Sequence, residues 1–136
     1  MNDNRSMPSA AMIPELNYPD VAAAADWLCR TFGFSVRLRI GDHRIQLVRD
    51  SAAMIARQGP VARESATSHA LMVRIADVDA HHAQASAAGA EVSAPQTFPY
   101  GERQYSARDL AGHVWIFSQT VQDVDPATWG GTLVGR

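Results

Sequence analysis

The sequence predicts an α+β fold in which two βαβββ repeats form a curved mixed sheet around a concave pocket. Two observations support this. The order strand, helix, three strands occurs twice along the chain, and the residues that bound the helices recur at nearly constant spacing. Asp20 and Gly33 are followed, 57 and 56 residues later, by Asp77 and Gly89. A polar stretch with Gly and Pro at residues 58–67 separates the two units and is typical of a linker.

The first repeat is predicted at residues 12–57. A short strand at residues 12–18 precedes Asp20, a favourable N-cap, and Gly33 is a favourable helix stop. Between them, apolar side chains recur at the spacing of one helical face: Val21, Ala24, Ala25, Leu28 and Phe32. Three strands follow, at residues 34–40, 43–49 and 52–57, with a hairpin turn at residues 41–42.

The second repeat is predicted at residues 68–120. It begins with a strand at residues 68–76, continues with a helix between Asp77 and Gly89, and ends with strands at 92–98, 103–108 and 114–120. One helix can cover only one face of a small sheet. The other face therefore needs cover from the second repeat, from another chain or from a ligand, which predicts a small-molecule pocket.

The composition excludes several classes of protein. Apolar residues make up 46% of the chain and the formal net charge is −2, which argues against disorder and against a nucleic-acid partner. No apolar run approaches the length of a membrane-spanning helix, and the single cysteine, Cys29, permits no internal disulfide. We therefore expect a cytoplasmic protein with a disordered leader at residues 1–11 and a C-terminal tail at 121–136.

Three stretches carry a resemblance to a known family. The first runs from Pro-Asp-Val at 19–21 to Phe-Gly-Phe at 32–34, and the second from residues 75–79 to 88–90. The third is Tyr-Gly-Glu-Arg at 100–103 followed by Arg-Asp-Leu-Ala-Gly-His-Val-Trp at 108–115. In this order the chain resembles the vicinal oxygen chelate superfamily of glyoxalase I, bleomycin-resistance proteins and extradiol dioxygenases, with Leu110 in place of the usual proline.

The resemblance implies where a metal would bind. Enzymes of this superfamily hold a divalent metal with four His, Gln or Glu side chains, and three of these positions fall on Ile13, Ala70 and Ile116. The fourth falls within residues 51–58, where Arg57 and Gln58 are the only long polar side chains. Aliphatic side chains cannot ligate a metal, so we expect neither a metal nor another cofactor. A rescue of the site by His69 or Glu15 is left open.

Six residues are candidates for binding a ligand in the concavity: Glu15, Gln46, Met72, Arg103, Tyr105 and Ile116. Arg103 and Tyr105 share a strand face. If that face is concave, Arg103 can hold an anionic group and Tyr105 can stack or donate a hydrogen bond; otherwise Arg103 structures the turn at Tyr100 and Gly101. Trp115 and Phe117 are expected in the core, and His81, His82 and His113 in packing or turns.

The leading hypothesis is a metal-free homodimer that binds a small organic molecule, in the manner of bleomycin-resistance proteins, without nucleic-acid or membrane partners. The alternative is a divalent-metal-dependent lyase or dioxygenase of glyoxalase type, against which the residues at 13, 70 and 116 argue. A third hypothesis is a metal-free enzyme in which Glu15 or a histidine acts as the acid–base group.

Overall fold

A computed structural model describes residues 3–135, apart from the side chains of Arg63 and Ser65. Met1 and Asn2 of the predicted leader and Arg136 of the predicted tail lie outside the described residues. The first repeat contains β1 (Glu15–Tyr18), α1 (Val21–Phe32), β2 (Ser35–Ile40), β3 (Arg44–Arg49) and β4 (Ala52–Gln58). The second unit contains α2 (Arg63–Ala66, in the linker), β5 (Ala70–Arg74), α3 (Val78–Ala87), β6 (Glu91–Val92), β7 (Gln96–Thr97), β8 (Glu102–Arg108) and β9 (Val114–Thr120). A 3-10 turn at Pro126–Trp129 lies in the tail.

The strands form two mixed sheets, one from each repeat. The first sheet has the order β1-β4-β3-β2, with β1 parallel to β4. The second has the order β5-β9-β8-β6, with β5 parallel to β9 and β7 also paired to β8. The repeated unit and the α+β fold are therefore confirmed.

The strand predicted at residues 92–98 is divided in two. β6 and β7 each pair with β8, and residues 93–95 separate them. Pro95 lies in this gap and has no backbone N–H to contribute to a ladder. The sequence thus correctly predicted that this segment pairs in the sheet, but the segment forms two short strands instead of one continuous strand.

The ends of the helices follow the predicted signals. The carboxylates of Asp20 and Asp77 accept hydrogen bonds from the backbone N–H groups of Ala23 and Ala80, each at 3.0 Å. Gly33 ends α1 with a φ of 81°, and its N–H donates to the carbonyl of Cys29 at 3.1 Å. A left-handed backbone is readily adopted by glycine, which explains why this residue can end the helix.

The core lies between the helices and the helix-facing sides of the two sheets, which we call the inner faces. Phe32 at the end of α1 joins the two repeats, since its ring centroid lies 4.9 Å from that of Phe117 and 5.4 Å from that of Trp115. Trp115 and Phe117 are fully buried, as predicted. The opposite sides of the sheets, turned away from the helices, are the outer faces.

A buried carboxylate also ties the repeats together. Asp109 Oδ2 accepts hydrogen bonds from the Tyr18 hydroxyl at 2.6 Å and the Trp115 indole at 3.1 Å, while its Oδ1 accepts from the backbone N–H of His113 at 3.0 Å. Burial, together with the Asp109 charge and hydrogen bond, raises the pKa of Tyr18 well above its ordinary value. The hydroxyl therefore stays protonated and acts as a fixed donor between β1 and the second repeat.

Candidate functional site

The strand registers assign side chains to the outer faces. In the first sheet Gln46 is paired with Ile55, and both alternate with the core residues Ile45, Leu47, Met54 and Ala56. In the second sheet Met72 is paired with Ile116, and Ser118 lies opposite both Arg74 and Gln104. These two outer faces are the surfaces on which the sequence predicts ligand binding.

The outer face of the second sheet is open around Met72. Met72 is 58% exposed, and its partner Ile116 is half-buried. Beside this apolar pair the Ser118 hydroxyl donates to Glu102 Oε1 at 2.7 Å and accepts from the Gln104 amide at 3.0 Å. The face thus combines an accessible apolar patch with a hydrogen-bonded polar row, formed by Glu102, Ser118 and Gln104.

Glu102 is held in its charged form at this face. Partial burial acts to raise its pKa, but hydrogen bonds from Thr120 and Ser118 and the charge of Arg74 more than offset burial, so the pKa lies below its usual range. An ionised carboxylate accepts hydrogen bonds and pairs with cations. It lies at one end of a surface otherwise suited to apolar groups.

The outer face of the first sheet is covered. Gln46 and Ile55 are each only 3% exposed, although neither faces the helices. The Gln46 amide donates to the carbonyl of Ser6 at 2.8 Å, and Arg37 Nη2 donates to the carbonyl of Arg5 at 2.9 Å. Residues from the predicted leader therefore lie on this face.

A cavity of about 720 Å³ separates the edge strands of the two sheets. Its lining combines parts of β1, β5 and the linker: Pro14, Glu15, Leu16, Asn17, Arg57, Pro60, Val61, Ala62, Ala66, His69, Ala70, Leu71 and His113. Small-molecule pockets usually measure about 300–1,000 Å³, with mostly apolar walls and a few polar groups. The cavity fits that description.

Several polar groups of this cavity are engaged, whereas the buried Nδ1 of His113 has no hydrogen-bond partner among the described residues. Glu15 is paired with Arg44 at 2.5 Å, and Arg57 Nε donates to Asn17 Oδ1 at 2.7 Å. The imidazole Nε2 of His113 lies 2.9 Å from the carbonyl of Asn17. Glu15 therefore serves as the partner of an arginine and is not poised as an unpaired base.

Arg103 and Tyr105 lie on the inner face, so the condition attached to their predicted binding role is not met. Arg103 Nη2 lies 3.0 Å from the Asp79 carboxylate of α3, and its Nη1 donates to Thr97 Oγ1 at 3.0 Å. Tyr105 is 2% exposed and packs against Phe117. The alternation along β8 separates these two residues from Glu102, Gln104 and the outer face.

Tyr105 instead forms a buried pair with His81. The Tyr105 hydroxyl lies 2.5 Å from His81 Nδ1, and His81 Nε2 lies 2.8 Å from the carbonyl of Phe32. A carbonyl can only accept, so Nε2 carries the proton and Nδ1 accepts from the tyrosine. Burial raises the pKa of Tyr105 and lowers that of His81, which keeps both groups neutral.

The six sequence candidates thus fall into separate regions. Met72 and Ile116 are adjacent on the open outer face, Gln46 lies under the leader, and Glu15 lines the cavity. Sequence reasoning missed Gln104 and Ser118 in the polar row and the contacts of Arg5 and Ser6. One signal pointed to the covered face: β4 is apolar at successive positions from Ala52 to Ala56, which is typical of a strand covered on both sides.

Comparison with known proteins agrees with this architecture. The profile of the Glyoxalase/Bleomycin resistance protein/Dioxygenase superfamily matches residues 10–117. The chain belongs to this superfamily. No curated protein sequence matches the chain.

Several solved structures share the fold. TioX from Micromonospora sp. ML1 is 35% identical, with a TM-score of 0.68 over 85% of this chain and 100% of TioX. The bleomycin resistance determinant encoded on transposon Tn5 is 18% identical, with a TM-score of 0.70 over 84% of this chain and 100% of that protein. The bleomycin-binding protein of bleomycin-producing Streptomyces verticillus, complexed with copper(II)-bleomycin, is 21% identical, with a TM-score of 0.63 over 78% and 92% of the two chains.

The residues of this superfamily member do not fit the metal of its enzymes. Ile13, Ala70 and Ile116 offer no donor atom, and the guanidinium of Arg57 pairs with Asn17 and Glu15. His69 precedes β5, and its ring centroid lies 5.9 Å from that of His113. Within residues 3–135, as far as their side chains are described, no three His, Cys, Asp or Glu residues group closely enough to hold a metal ion.

The structure contains no helix, within the part of the chain that it describes, that is long and apolar enough to cross a membrane.

Proposed function

We propose that this superfamily member binds a small organic molecule without a metal ion, as a sequestering protein of bleomycin-resistance type. The observation that carries the proposal is the cavity of about 720 Å³ between β1 and β5, which is mostly apolar and has ordered polar groups at its rim. The neighbouring open face, with Met72 beside Ile116, extends the apolar surface available to a ligand.

The chemistry of these surfaces favours binding over catalysis. The neutral His81–Tyr105 pair is enclosed in the core, and Glu15 is engaged by two arginines. Neither arrangement provides an unpaired nucleophile or base, and the Nδ1 atom of His113, which has no hydrogen-bond partner in the described part of the chain, is buried. A binding protein needs only shape, apolar area and a few hydrogen-bonding groups.

We further propose that the protein acts as a homodimer in the cytoplasm. The strands β1 and β5 are the outermost strands of their sheets, and Met72 exposes an apolar side chain on the open outer face. A second copy covering these features would bring the outer face of one subunit toward that of the other and enclose the ligand. Light scattering after gel filtration measures this directly: a mass near 29 kDa supports the dimer, and a mass near 14.7 kDa at micromolar concentration contradicts it.

Bleomycin, free of metal and with copper(II), is the first ligand to test. Isothermal titration calorimetry on protein purified without a chelator should give saturable binding of both forms. Ile116→Glu places a charge on the open face and should weaken binding at least about tenfold, because a charge in an apolar contact loses hydration. Arg103→Ala is the matched control, since Arg103 lies on the inner face and its removal should leave the affinity unchanged.

Three results would contradict the proposal. Binding of neither bleomycin form nor any compound of an aromatic and glycopeptide panel would remove the sequestering role. Loss of affinity in Arg103→Ala without loss in Ile116→Glu would move the site to the other face. Stoichiometric tightly bound Zn, Ni, Mn or Fe in the purified protein, measured by elemental analysis, would favour the glyoxalase-type alternative.

A further inference from the structure

The leader, residues 3–11, forms a turn above the outer face of the first sheet. The Ser6 N–H donates to the Asn4 side-chain oxygen at 3.0 Å, and the Met7 N–H donates to the Asn4 carbonyl at 3.1 Å. An asparagine that accepts from the backbone two residues on is a local turn device. The turn presents the carbonyls of two successive residues, Arg5 and Ser6, to the sheet.

Two side chains of the sheet bind these carbonyls. Arg37 Nη2 donates to the carbonyl of Arg5 at 2.9 Å, and Gln46 Nε2 donates to that of Ser6 at 2.8 Å. Arg37 Nη1 also donates to Gln46 Oε1 at 2.7 Å, which fixes the two donors relative to each other. The sheet therefore provides a preorganised pair of donors for two neighbouring amide carbonyls.

Apolar burial accompanies these hydrogen bonds. Pro8 is buried although it lies in the leader, and Ile55 and Ala53 are buried although they lie outside the core cluster. On the outer face of the second sheet, by contrast, Met72 is 58% exposed. Burial of an apolar leader residue thus accompanies the two carbonyl contacts.

We propose that the leader is an internal competitor for a ligand site on this face. The ligand class is a molecule with two adjacent amide carbonyls and a compact apolar ring, which reproduce the carbonyls of Arg5 and Ser6 and the ring of Pro8. This inference rests on the proposed ligand-binding function and extends it to the outer face of the first sheet. Because only the leader-free form binds, the apparent affinity equals the intrinsic affinity multiplied by the fraction of leader-free molecules.

Limited proteolysis of the full chain tests the docking of the leader without any ligand. Trypsin cleaves after Arg5, and release of residues 1–5 can be followed by mass spectrometry. Pro8→Gln places an amide in the buried apolar position and should accelerate this cleavage about tenfold, since cleavage follows the population of the undocked form. Ser9→Gln is the matched control, because Ser9 is exposed, and should cleave at the wild-type rate.

A synthetic peptide with the sequence of residues 3–11, carrying a fluorophore, tests the face itself. Measured by anisotropy, it should bind the Pro8→Gln chain about tenfold more tightly than the wild type, in which the tethered leader already occupies the site. Equal cleavage rates in the two variants, or no binding of the peptide to the Pro8→Gln chain, would overturn the proposal. Protection that disappears on dilution would also overturn it, since the leader would then come from a second copy.

Bleomycin separates this inference from the proposed function. If the leader competes, Pro8→Gln should bind bleomycin about tenfold more tightly than the wild type, whereas Ser9→Gln should not. Equal affinities in all three chains would overturn the competition. If no chain binds bleomycin or the compound panel, the proposed function fails, and the proteolysis and peptide results still decide whether the leader occupies a carbonyl-binding site.

Discussion

The two sheets are built from two copies of the same βαβββ unit, but their outer faces differ in how far they are exposed to solvent. On the first sheet, Ile55 and Gln46 are each 3% exposed, and the leader lies over them. On the second sheet, Met72 is 58% exposed and Ile116 is half-buried, with an ordered polar row beside them. Duplication of a fold therefore does not duplicate the environment of its faces.

The difference shows how one chain can solve the same problem in two ways. Each helix covers one inner face and leaves one outer face uncovered. The first repeat uses a segment outside its βαβββ unit to cover its outer face, whereas the second keeps its outer face accessible around Met72. The outer face of the first sheet is in contact with the leader, whereas on the outer face of the second sheet the apolar side chain of Met72 is exposed.

The largest expected contrast lies between two side chains on the outer faces. Ile55→Ala should lower the free energy of unfolding by about 2–4 kcal/mol, because it removes methyl groups from a buried position. Met72→Ala should change it by no more than about 0.5 kcal/mol, since Met72 is mostly exposed. Urea denaturation monitored by tryptophan fluorescence measures both values. Equal costs would show that the leader does not shield the first face.

A second comparison concerns the cost in stability of changing the aspartate in the turn before the last strand of each repeat, β4 or β9. Asp109→Asn replaces one acceptor oxygen of a buried carboxylate by a donor, and should cost about 2 kcal/mol because the donors around it lose a partner. Asp50 is exposed with a φ of 51°, a conformation that asparagine tolerates, so Asp50→Asn should cost less than about 0.5 kcal/mol. Thermal unfolding of both variants tests this. A similar cost at both turns would contradict the assignment of Asp109 as the link between repeats.

The smallest expected effect is the pH dependence of stability that arises from His81 on α3. Burial lowers the pKa of His81, so the unfolded chain binds a proton more readily than the folded one. Stability is therefore complete above the ordinary histidine pKa of about 6.5 and decreases as the pH falls from there toward the lowered folded value. His81→Gln keeps a donor and an acceptor, should cost about 1 kcal/mol at pH 7.5, and should flatten this decline.

The control for this experiment is His43, which is exposed in the hairpin turn of the first repeat. His43→Gln should keep the wild-type pH profile in urea denaturation series between pH 7.5 and 5.5. A decline that persists unchanged in His81→Gln would assign the pH dependence to another group.

The fold was largely predictable because its signals are local. Asp20, Gly33 and Asp77 act on backbone groups within a few residues, so helix boundaries follow from nearby sequence. The candidate site was less predictable, because a ligand surface depends on which strand face is turned outward. Arg103 and Tyr105 were grouped correctly on one face, yet only the packing of α3 against β8 identifies that face as the inner one.

By itself, the sequence determined the duplicated unit, the superfamily and the aliphatic residues at three positions where its enzymes hold a metal. These properties depend on residue type and spacing, which are independent of how the units pack. Only the tertiary structure decided that the leader covers one outer face while Met72 on the other stays exposed, and that His81 and Tyr105 form a buried pair. Such contacts join residues far apart in the chain, and their free energies depend on burial that local sequence patterns do not specify.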